Sequence, residues 1–128
     1  MDYRDKRKAV QNKTFYSSLK YAIEGIITSF AEEKNMKRHV LTAIIVLIGA
    51  FILRVDLSSL LWLIFSIFFV IICEIMNTAI ENLVDLVTNY EYHPLAKKVK
   101  DMMAGLVLLS SVFAVIVGII VLIQTLVK

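Results

Sequence analysis

Four polar residues recur at helical spacing within an otherwise apolar stretch of the sequence: Glu74, Asn77, Glu81 and Asp85. They are separated by 3, 4 and 4 positions, so on an α-helix with about 100° of rotation per residue their side chains fall within roughly 80° of arc. A carboxylate at membrane depth is tolerated where it faces a protein interior, an ion or a polar cavity. The spacing therefore predicts a working site on one face of a long helix.

The residue types around this stripe are those that phosphoryl transfer requires. Carboxylate oxygens suit Mg²⁺, which keeps waters and substrate phosphates as its remaining ligands, and a carboxylate with a raised pKa suits proton abstraction from a hydroxyl. Lysine side chains suit phosphate oxygens. The candidates that the predicted topology brings to one membrane boundary are Glu33, Glu74, Asn77, Glu81, Asp85, Lys97, Lys98, Lys100 and Asp101.

Position along the helix separates the roles of the two glutamates of the stripe. Glu74 and Glu81 are seven residues apart, which is about 10 Å along a helix axis. We therefore do not expect one chain to place both carboxylates on one ion. Glu74 adjoins the apolar run that ends at Cys73, at the depth of a lipid head group. Glu81 lies nearer to water, where a nucleotide would arrive.

The composition is that of a small integral membrane protein. The chain has 128 residues, of which 59% are hydrophobic, and a mean hydropathy of +0.75, which predicts a single all-α membrane domain. A net charge of +3 without a basic patch interleaved with aromatic residues argues against a nucleic-acid partner. The sequence has no glycine-rich phosphate-binding loop. Its single cysteine excludes an intrachain disulfide and a Cys-X-X-Cys metal site.

Apolar runs and charged breaks divide the chain into one surface helix and three spans. Apolar residues at spacings of 3 and 4 between Phe15 and Phe30 predict an amphipathic helix that lies in the membrane interface. The run from Val40 to Leu53 is short for a span, and snorkelling basic residues at its ends extend it. The predicted segments are a polar N-terminal part (1–13), the surface helix (14–32), a first span (39–54), a second span with a cytoplasmic extension (57–88) and a third span (96–127).

The distribution of lysine and arginine predicts the orientation in the membrane. Nine of these residues precede the first span and three lie between the second and third spans, whereas Arg54 and Lys128 lie on the opposite side. By the positive-inside rule, the N-terminus and residues 82–101 are cytoplasmic and the C-terminus faces outward. The acidic stripe is therefore expected at the cytoplasmic boundary of the plasma membrane.

The stripe and three flanking blocks form a recognisable signature. The segment Glu74–Asp85, followed by Tyr92–Lys97 and Lys100–Asp101 and preceded by Glu33–Lys37, resembles the prokaryotic diacylglycerol kinase family over roughly residues 14–125. The Pro-Leu-Ala-Lys run after His93 is most similar to the Gram-positive branch of that family, which contains undecaprenol kinases.

The resemblance implies a homotrimer of three-span subunits with a surface helix and with active sites shared between neighbouring chains. It also implies ATP with Mg²⁺ as the phosphoryl donor and a membrane lipid alcohol as the acceptor. Glu74 is then the catalytic base beside the lipid substrate, and Glu33 and Glu81 are the carboxylates that bridge metal and ATP. The residues that the resemblance places at the nucleotide are Tyr21, Glu33, Asn77, Glu81, Glu91, Tyr92, His93, Lys100 and Asp101.

The expected function is ATP-dependent phosphorylation of undecaprenol to undecaprenyl phosphate, the carrier for cell-wall assembly. Phosphorylation of diacylglycerol to phosphatidic acid is the alternative, since both acceptors are primary alcohols on apolar tails. An alternative of another class is a non-enzymatic membrane protein whose acidic stripe fixes helix packing or conducts protons. The sequence departs from the family pattern at Lys13-Thr14, where the diacylglycerol kinase carries an arginine, and by one extra residue between Asp85 and His93.

Overall fold

The computed structural model describes residues 2–4 and 14–128, and over residues 14–128 the chain forms four helices and no strand. These are α1 (Phe15–Glu32), α2 (Lys34–Ile52), α3 (Leu57–Thr88) and α4 (Pro94–Val127). The all-helical prediction is confirmed. The predicted polar segment 1–13 lies outside the described residues except for positions 2–4, as does Lys13 of the departure noted above.

Helices α2, α3 and α4 are each long and apolar enough to cross a membrane, which confirms the three predicted apolar spans. Helix α3 has 32 residues and is therefore about 48 Å long, which exceeds the roughly 30 Å of bilayer hydrocarbon. One of its ends must project beyond the apolar layer. The projecting end is the C-terminal one, because Glu81 and Asp85 lie there.

Two tight turns connect the three long helices and are determined by local residues. Asp56 is the N-cap of α3, and its Oδ1 accepts a hydrogen bond from the Ser59 backbone N–H at 2.7 Å. At the other end Asn89 ends α3 in the left-handed region with φ 51°, a conformation that asparagine adopts more readily than most residues. His93 then caps α4, since its Nδ1 accepts from the Leu95 N–H at 3.1 Å.

Helices α3 and α4 form the main packed pair of the chain. Their contact includes an aromatic cluster in which the Phe113 ring meets the rings of Phe65 and Phe69 edge to face, with centroids 6.2 and 6.1 Å apart. The buried positions of α3 recur with alternating spacings of four and three residues, as in left-handed helix pairs. Six of the eight buried positions follow this pattern, and the other two, Glu74 and Thr78, each come directly after a member of it; the six are Ser59, Leu63, Ser66, Val70, Cys73 and Asn77.

Serines occupy the most buried small-residue positions on α3 and α4. Ser66 is 2% exposed and Ser110 is 1% exposed, and each hydroxyl donates to the carbonyl three residues earlier in its own helix, at 2.9 and 2.8 Å. Small side chains of this kind let membrane helices approach closely. By contrast, a Cβ atom added at Gly105 or Gly118 would meet no heavy atom within 4 Å.

Much of the apolar surface of α2, α3 and α4 is exposed in the single chain. Phe51 is 86% exposed, Leu109 is 70% exposed and Phe68 is 61% exposed. Lipid tails or further copies of the chain must cover such a surface. The trimeric assembly and the position of α1 at the membrane surface stay predictions.

Replacing Ser110 with leucine tests the close packing of α3 on α4. Because Ser110 is almost completely buried, the larger side chain must displace its neighbours, and we expect Ser110→Leu to destabilise the fold by about 1–3 kcal/mol. Unfolding in mild detergent titrated with sodium dodecyl sulfate measures the change. Leu109→Met, at the adjacent exposed position, is the control, and equal midpoints for the two variants would contradict the packing described here.

Candidate functional site

Glu74 is the most unusual side chain of the described chain because it is ionisable, 1% exposed and without a hydrogen bond. Neither Oε1 nor Oε2 has a hydrogen-bond partner among the described residues, and the same holds for Oδ1 of Asn77, one turn further along α3. Burial of such atoms without partners is strongly unfavourable. Three acceptor oxygens on one face of α3 therefore have no hydrogen bond within the described residues, and two of them, Glu74 Oε1 and Asn77 Oδ1, are candidates to contact a group that is not part of this chain.

His39 on α2 is the side chain that approaches the Glu74 carboxylate. Its Nε2 lies 3.5 Å from Glu74 Oε2, and its side chain is 26% exposed. The sequence prediction did not include His39 in the site. The available signal was its position, since His39 directly precedes the first apolar run and Glu74 directly follows the second. Antiparallel helices bring those two positions to the same depth.

A second acidic group lies where α1 joins α2. Glu33, the residue between these helices, is half-buried, and its pKa is raised first by burial and then by the nearby carboxylates of Glu81 and Glu32. The Glu32 Oε2 atom accepts a hydrogen bond from Asn82 Nδ2 at 3.4 Å. This contact places the α1–α2 junction against α3 beside Glu81. The two predicted metal carboxylates, Glu33 and Glu81, are thus neighbours within one chain.

The Glu33–Glu81 pair offers a cation two carboxylates at most. No group of three or more His, Cys, Asp or Glu side chains among residues 2–4 and 14–128 is arranged to hold a metal ion. Hard carboxylate oxygens with few protein ligands fit Mg²⁺, which takes most of its other ligands from water and phosphate. Repulsion between the carboxylates of Glu33 and Glu81 contributes to the raised pKa of Glu33. A cation bound between them would reduce that repulsion.

Two predicted nucleotide residues on α4 form ion pairs of different kinds. Lys100 Nζ lies 2.6 Å from Asp85 Oδ1, which ties the start of α4 to the end of α3. Asp101 instead pairs with Lys97 one turn earlier on α4, and both of these side chains are well exposed. Asp85, the last residue of the acidic stripe, therefore has a cationic hydrogen-bond partner. The Glu74 carboxylate and Asn77 Oδ1 have no hydrogen bond among the described residues.

The turn between α3 and α4 borders a groove of about 430 Å³. Glu91, Tyr92 and His93 line it together, against an apolar wall that includes Leu83 and Val87. The lining residues do not include Lys100, Asp101 or Tyr21. The nine predicted nucleotide residues therefore do not form one cluster within this chain. Three line the groove, Glu33 and Glu81 form a second group, and the others lie apart from both: Tyr21, which is about half exposed on α1, Asn77, Lys100 and Asp101.

Comparison with known proteins agrees with the geometry. Residues 20–122 match the family described as prokaryotic diacylglycerol kinase. A diacylglycerol kinase of Synechocystis is 40% identical over 79% of this chain and 58% of its own length, and an undecaprenol kinase of Bacillus subtilis is 37% identical over 94% of this chain and 96% of its own length. A diacylglycerol kinase of Escherichia coli is 33% identical over 75% of this chain and 78% of its own length.

Three apolar spans with a buried carboxylate at the edge of the apolar layer, together with these relatives, define the class as a small membrane lipid kinase. A lipid kinase of this kind must bring a water-soluble donor to an acceptor that stays in the bilayer, which accounts for a site at the boundary. The chain belongs to the prokaryotic diacylglycerol kinase family.

Exchanging the charges of the Asp85–Lys100 pair separates its structural role from the predicted role of Lys100 at the nucleotide. Either Asp85→Lys or Lys100→Asp alone places like charges together and should lower the thermal midpoint slightly, because both side chains are partly exposed. The double exchange should restore the midpoint without restoring affinity for ATP. Thermal unfolding and nucleotide binding of the three variants in detergent check this, and a double variant that stays as unstable as the singles would contradict the pairing.

Proposed function

We propose that this protein transfers the γ-phosphate of ATP to undecaprenol and so makes undecaprenyl phosphate at the cytoplasmic face of the plasma membrane. The observation that carries the proposal is Glu74, a buried carboxylate without a hydrogen-bond partner among the described residues. The choice of undecaprenol is supported by the match to the Bacillus subtilis undecaprenol kinase over nearly the whole of both chains and by the Pro-Leu-Ala-Lys run that begins at Pro94.

Glu74 is proposed as the catalytic base. Its carboxylate accepts the proton of the lipid hydroxyl while the hydroxyl oxygen forms a bond to the γ-phosphorus, and the bond from that phosphorus to the bridging oxygen of ADP breaks. The Asn77 amide, one turn away and also unpartnered at Oδ1, orients the hydroxyl or the phosphate. Burial of both side chains excludes water as a competing acceptor.

Glu33 and Glu81 are proposed to hold the donor. Mg²⁺ bound to these carboxylates would supply the positive charge that neutralises the ATP phosphates. The support is that the chain brings the two acidic groups together although they repel each other. The other residues proposed to contact the nucleotide are Tyr21, Asn77, Glu91, Tyr92, His93, Lys100 and Asp101.

A cavity between the spans fits an apolar acceptor. It has a volume of about 250 Å³, begins at His39 and is lined by residues of α2, α3 and α4 that include Ala43, Val70 and Gly118. An isoprenoid or acyl tail has the apolar surface that such a lining accepts. A lipid held there would have its hydroxyl at the end of the cavity that lies beside Glu74.

The proposed active form is a homotrimer with sites shared between chains. Glu74 and Glu81 are about 10 Å apart along α3, so that a single chain separates the base from the donor carboxylates. The exposed apolar faces of the spans provide surface for contacts between copies. In the proposed orientation, the N-terminus and the α3–α4 turn are cytoplasmic and the C-terminus faces outward, as the positive-inside rule requires.

Diacylglycerol is the second candidate acceptor, since the Synechocystis relative with that activity in its name is 40% identical over 79% of this chain. It has a primary hydroxyl on an apolar body and would use the same base and donor. The difference between the two acceptors would lie in the membrane-buried part of the substrate, not in the reacting groups.

Glu74→Gln should abolish most of the turnover without loss of donor binding. The amide cannot take the hydroxyl proton, so we expect kcat to fall by about 100-fold or more while the KM for ATP stays within about twofold. The measurement is phosphate transfer from radiolabelled ATP with Mg²⁺ in mixed micelles, with undecaprenol and diacylglycerol offered separately at equal mole fraction.

The matched control for this assay is Glu24→Gln, the same chemical change at an exposed position of α1, which should keep full activity. Preference of the wild type for diacylglycerol would overturn the acceptor and keep the mechanism. Full activity of Glu74→Gln would remove Glu74 as the base. Absence of transfer to either lipid by folded protein would favour the non-enzymatic alternative, an acidic stripe that serves packing or proton conduction.

The affinity for Mg²⁺–ATP should fall at low pH because protons compete for Glu33. Its raised pKa means that Glu33 retains a proton at higher pH than an ordinary glutamate, whereas cation binding needs the carboxylate. Affinity should be constant above the Glu33 pKa and decrease by up to about tenfold per pH unit below it. Equilibrium binding across this range measures the slope, which Glu33→Gln should remove and Glu24→Gln should keep. An unchanged slope in Glu33→Gln would exclude Glu33 as the titrating group.

A further inference from the structure

The contact between His39 and Glu74 joins a buried group to one that solvent can reach. Glu74 is 1% exposed, whereas 26% of the His39 side chain is accessible, and 3.5 Å separates His39 Nε2 from Glu74 Oε2. The other charged groups close enough to act on Glu74 are Glu33 and Glu81, both acidic. His39 is therefore the one basic side chain among the described residues that faces this carboxylate.

The neighbouring basic side chain of α2 is directed elsewhere. Arg38 donates from Nη1 to Asn35 Oδ1, one turn earlier in the same helix, at 3.4 Å. Since Lys37 is exposed on the same stretch, neither of these cations takes the place of His39 at Glu74. Imidazole is also the side chain best suited to pass a proton at neutral pH, because one ring nitrogen can accept while the other releases.

The proposed reaction creates a need for such a group. Each transfer leaves the proton of the lipid hydroxyl on Glu74, and a second transfer requires the carboxylate again. Both carboxylate oxygens are buried without a hydrogen bond, so water has no direct route to that proton. The proton must leave through a neighbour before the next cycle.

We propose that His39 is the proton relay of the site, carrying the proton from Glu74 to water after each turnover. This inference rests on the proposed function of Glu74 as the base. The Oε2–H bond of Glu74 breaks as His39 Nε2 accepts the proton, and the Nδ1–H of the resulting imidazolium gives its proton to water. One proton enters and one leaves, so Glu74 returns to the carboxylate and His39 becomes a neutral ring protonated at Nε2. Proton exchange with water at the solvent-accessible ring then restores the Nδ1–H tautomer, whose Nε2 accepts in the next cycle. His39 acts on the proton through Glu74, and its ring also lines the proposed acceptor cavity, which is why the test below includes rescue by imidazole.

Removal of the ring tests the relay. We expect His39→Ala to lower kcat by about 10-fold or more with the KM for ATP nearly unchanged, since the donor carboxylates lie elsewhere. Added imidazole, at fixed pH and ionic strength, should restore a large part of the lost turnover by entering the space that the ring leaves. The same imidazole should have no effect on the wild type or on Glu74→Gln. Thr125→Val, near the C-terminal end of α4 and outside the proposed acceptor cavity, is the structural control, since the Thr125 hydroxyl also bonds within its own helix.

A readout without turnover tests the contact itself. The chain has two histidines, so selective ¹⁵N labelling of the rings gives two sets of signals in a detergent solution of the full chain. Glu74→Gln should move the signals of His39 and leave those of His93 in place, because His93 lies at the start of α4 and caps that helix.

The outcomes separate this inference from the proposed function. An active wild type with a His39→Ala variant that keeps full kcat, or that loses kcat without any response to imidazole, overturns the relay and leaves the kinase intact. A wild type that transfers phosphate to neither lipid overturns both. Loss of kcat with rescue by imidazole, together with a shift of the His39 ring signals in Glu74→Gln, establishes the relay.

Discussion

The structure depends on burying one carboxylate at the edge of an apolar layer. Glu74 is 1% exposed and has no hydrogen bond within the described chain, a condition that in a membrane protein marks a candidate functional site. The packing of α3 against α4 brings buried serines and aromatic rings together along the same pair of helices. Burial of Glu74 by itself favours unfolding or protonation. The free energy of this packing offsets that cost.

Because α3 is long, it carries acidic side chains at two different depths in the membrane. The helix carries Glu74, the proposed base, in its apolar part and Glu81 two turns nearer the water, which is the arrangement that a lipid acceptor and a water-soluble donor would require. Glu33 reaches Glu81 because α1 ends against α3, held by the Glu32–Asn82 contact. The end of α1 therefore brings the Glu33 carboxylate to Glu81, where the proposed function places the donor.

Local sequence patterns predict the helices and most of the candidate site. They do not predict contacts between residues that lie far apart in the sequence. Periodicity and charge give the helical elements, and Asp56 is a recognisable cap for α3. The stripe on α3 is visible because its members lie on one helix at spacings of three and four. His39 escapes such a search because its partner lies 35 positions away on another helix, and no periodicity links them. The capping role of His93 was missed because the sequence presents it first as a nucleotide contact.

The polar residues of the acidic stripe look alike in the sequence, but in the structure some of them have hydrogen-bond partners and others do not. At its inner end, Glu74 and Asn77 hold oxygens that no described side chain satisfies, whereas at its outer end Asp85 binds Lys100 at 2.6 Å and fastens α4 to α3. A polar residue that already has its partner stabilises the fold, and one that lacks a partner while buried is kept for an exchange with something outside the chain. Spacing alone cannot distinguish these two kinds of residue. The distinction becomes visible when each polar atom of the stripe is matched to its partners, and it supports the proposal that the reaction takes place around Glu74.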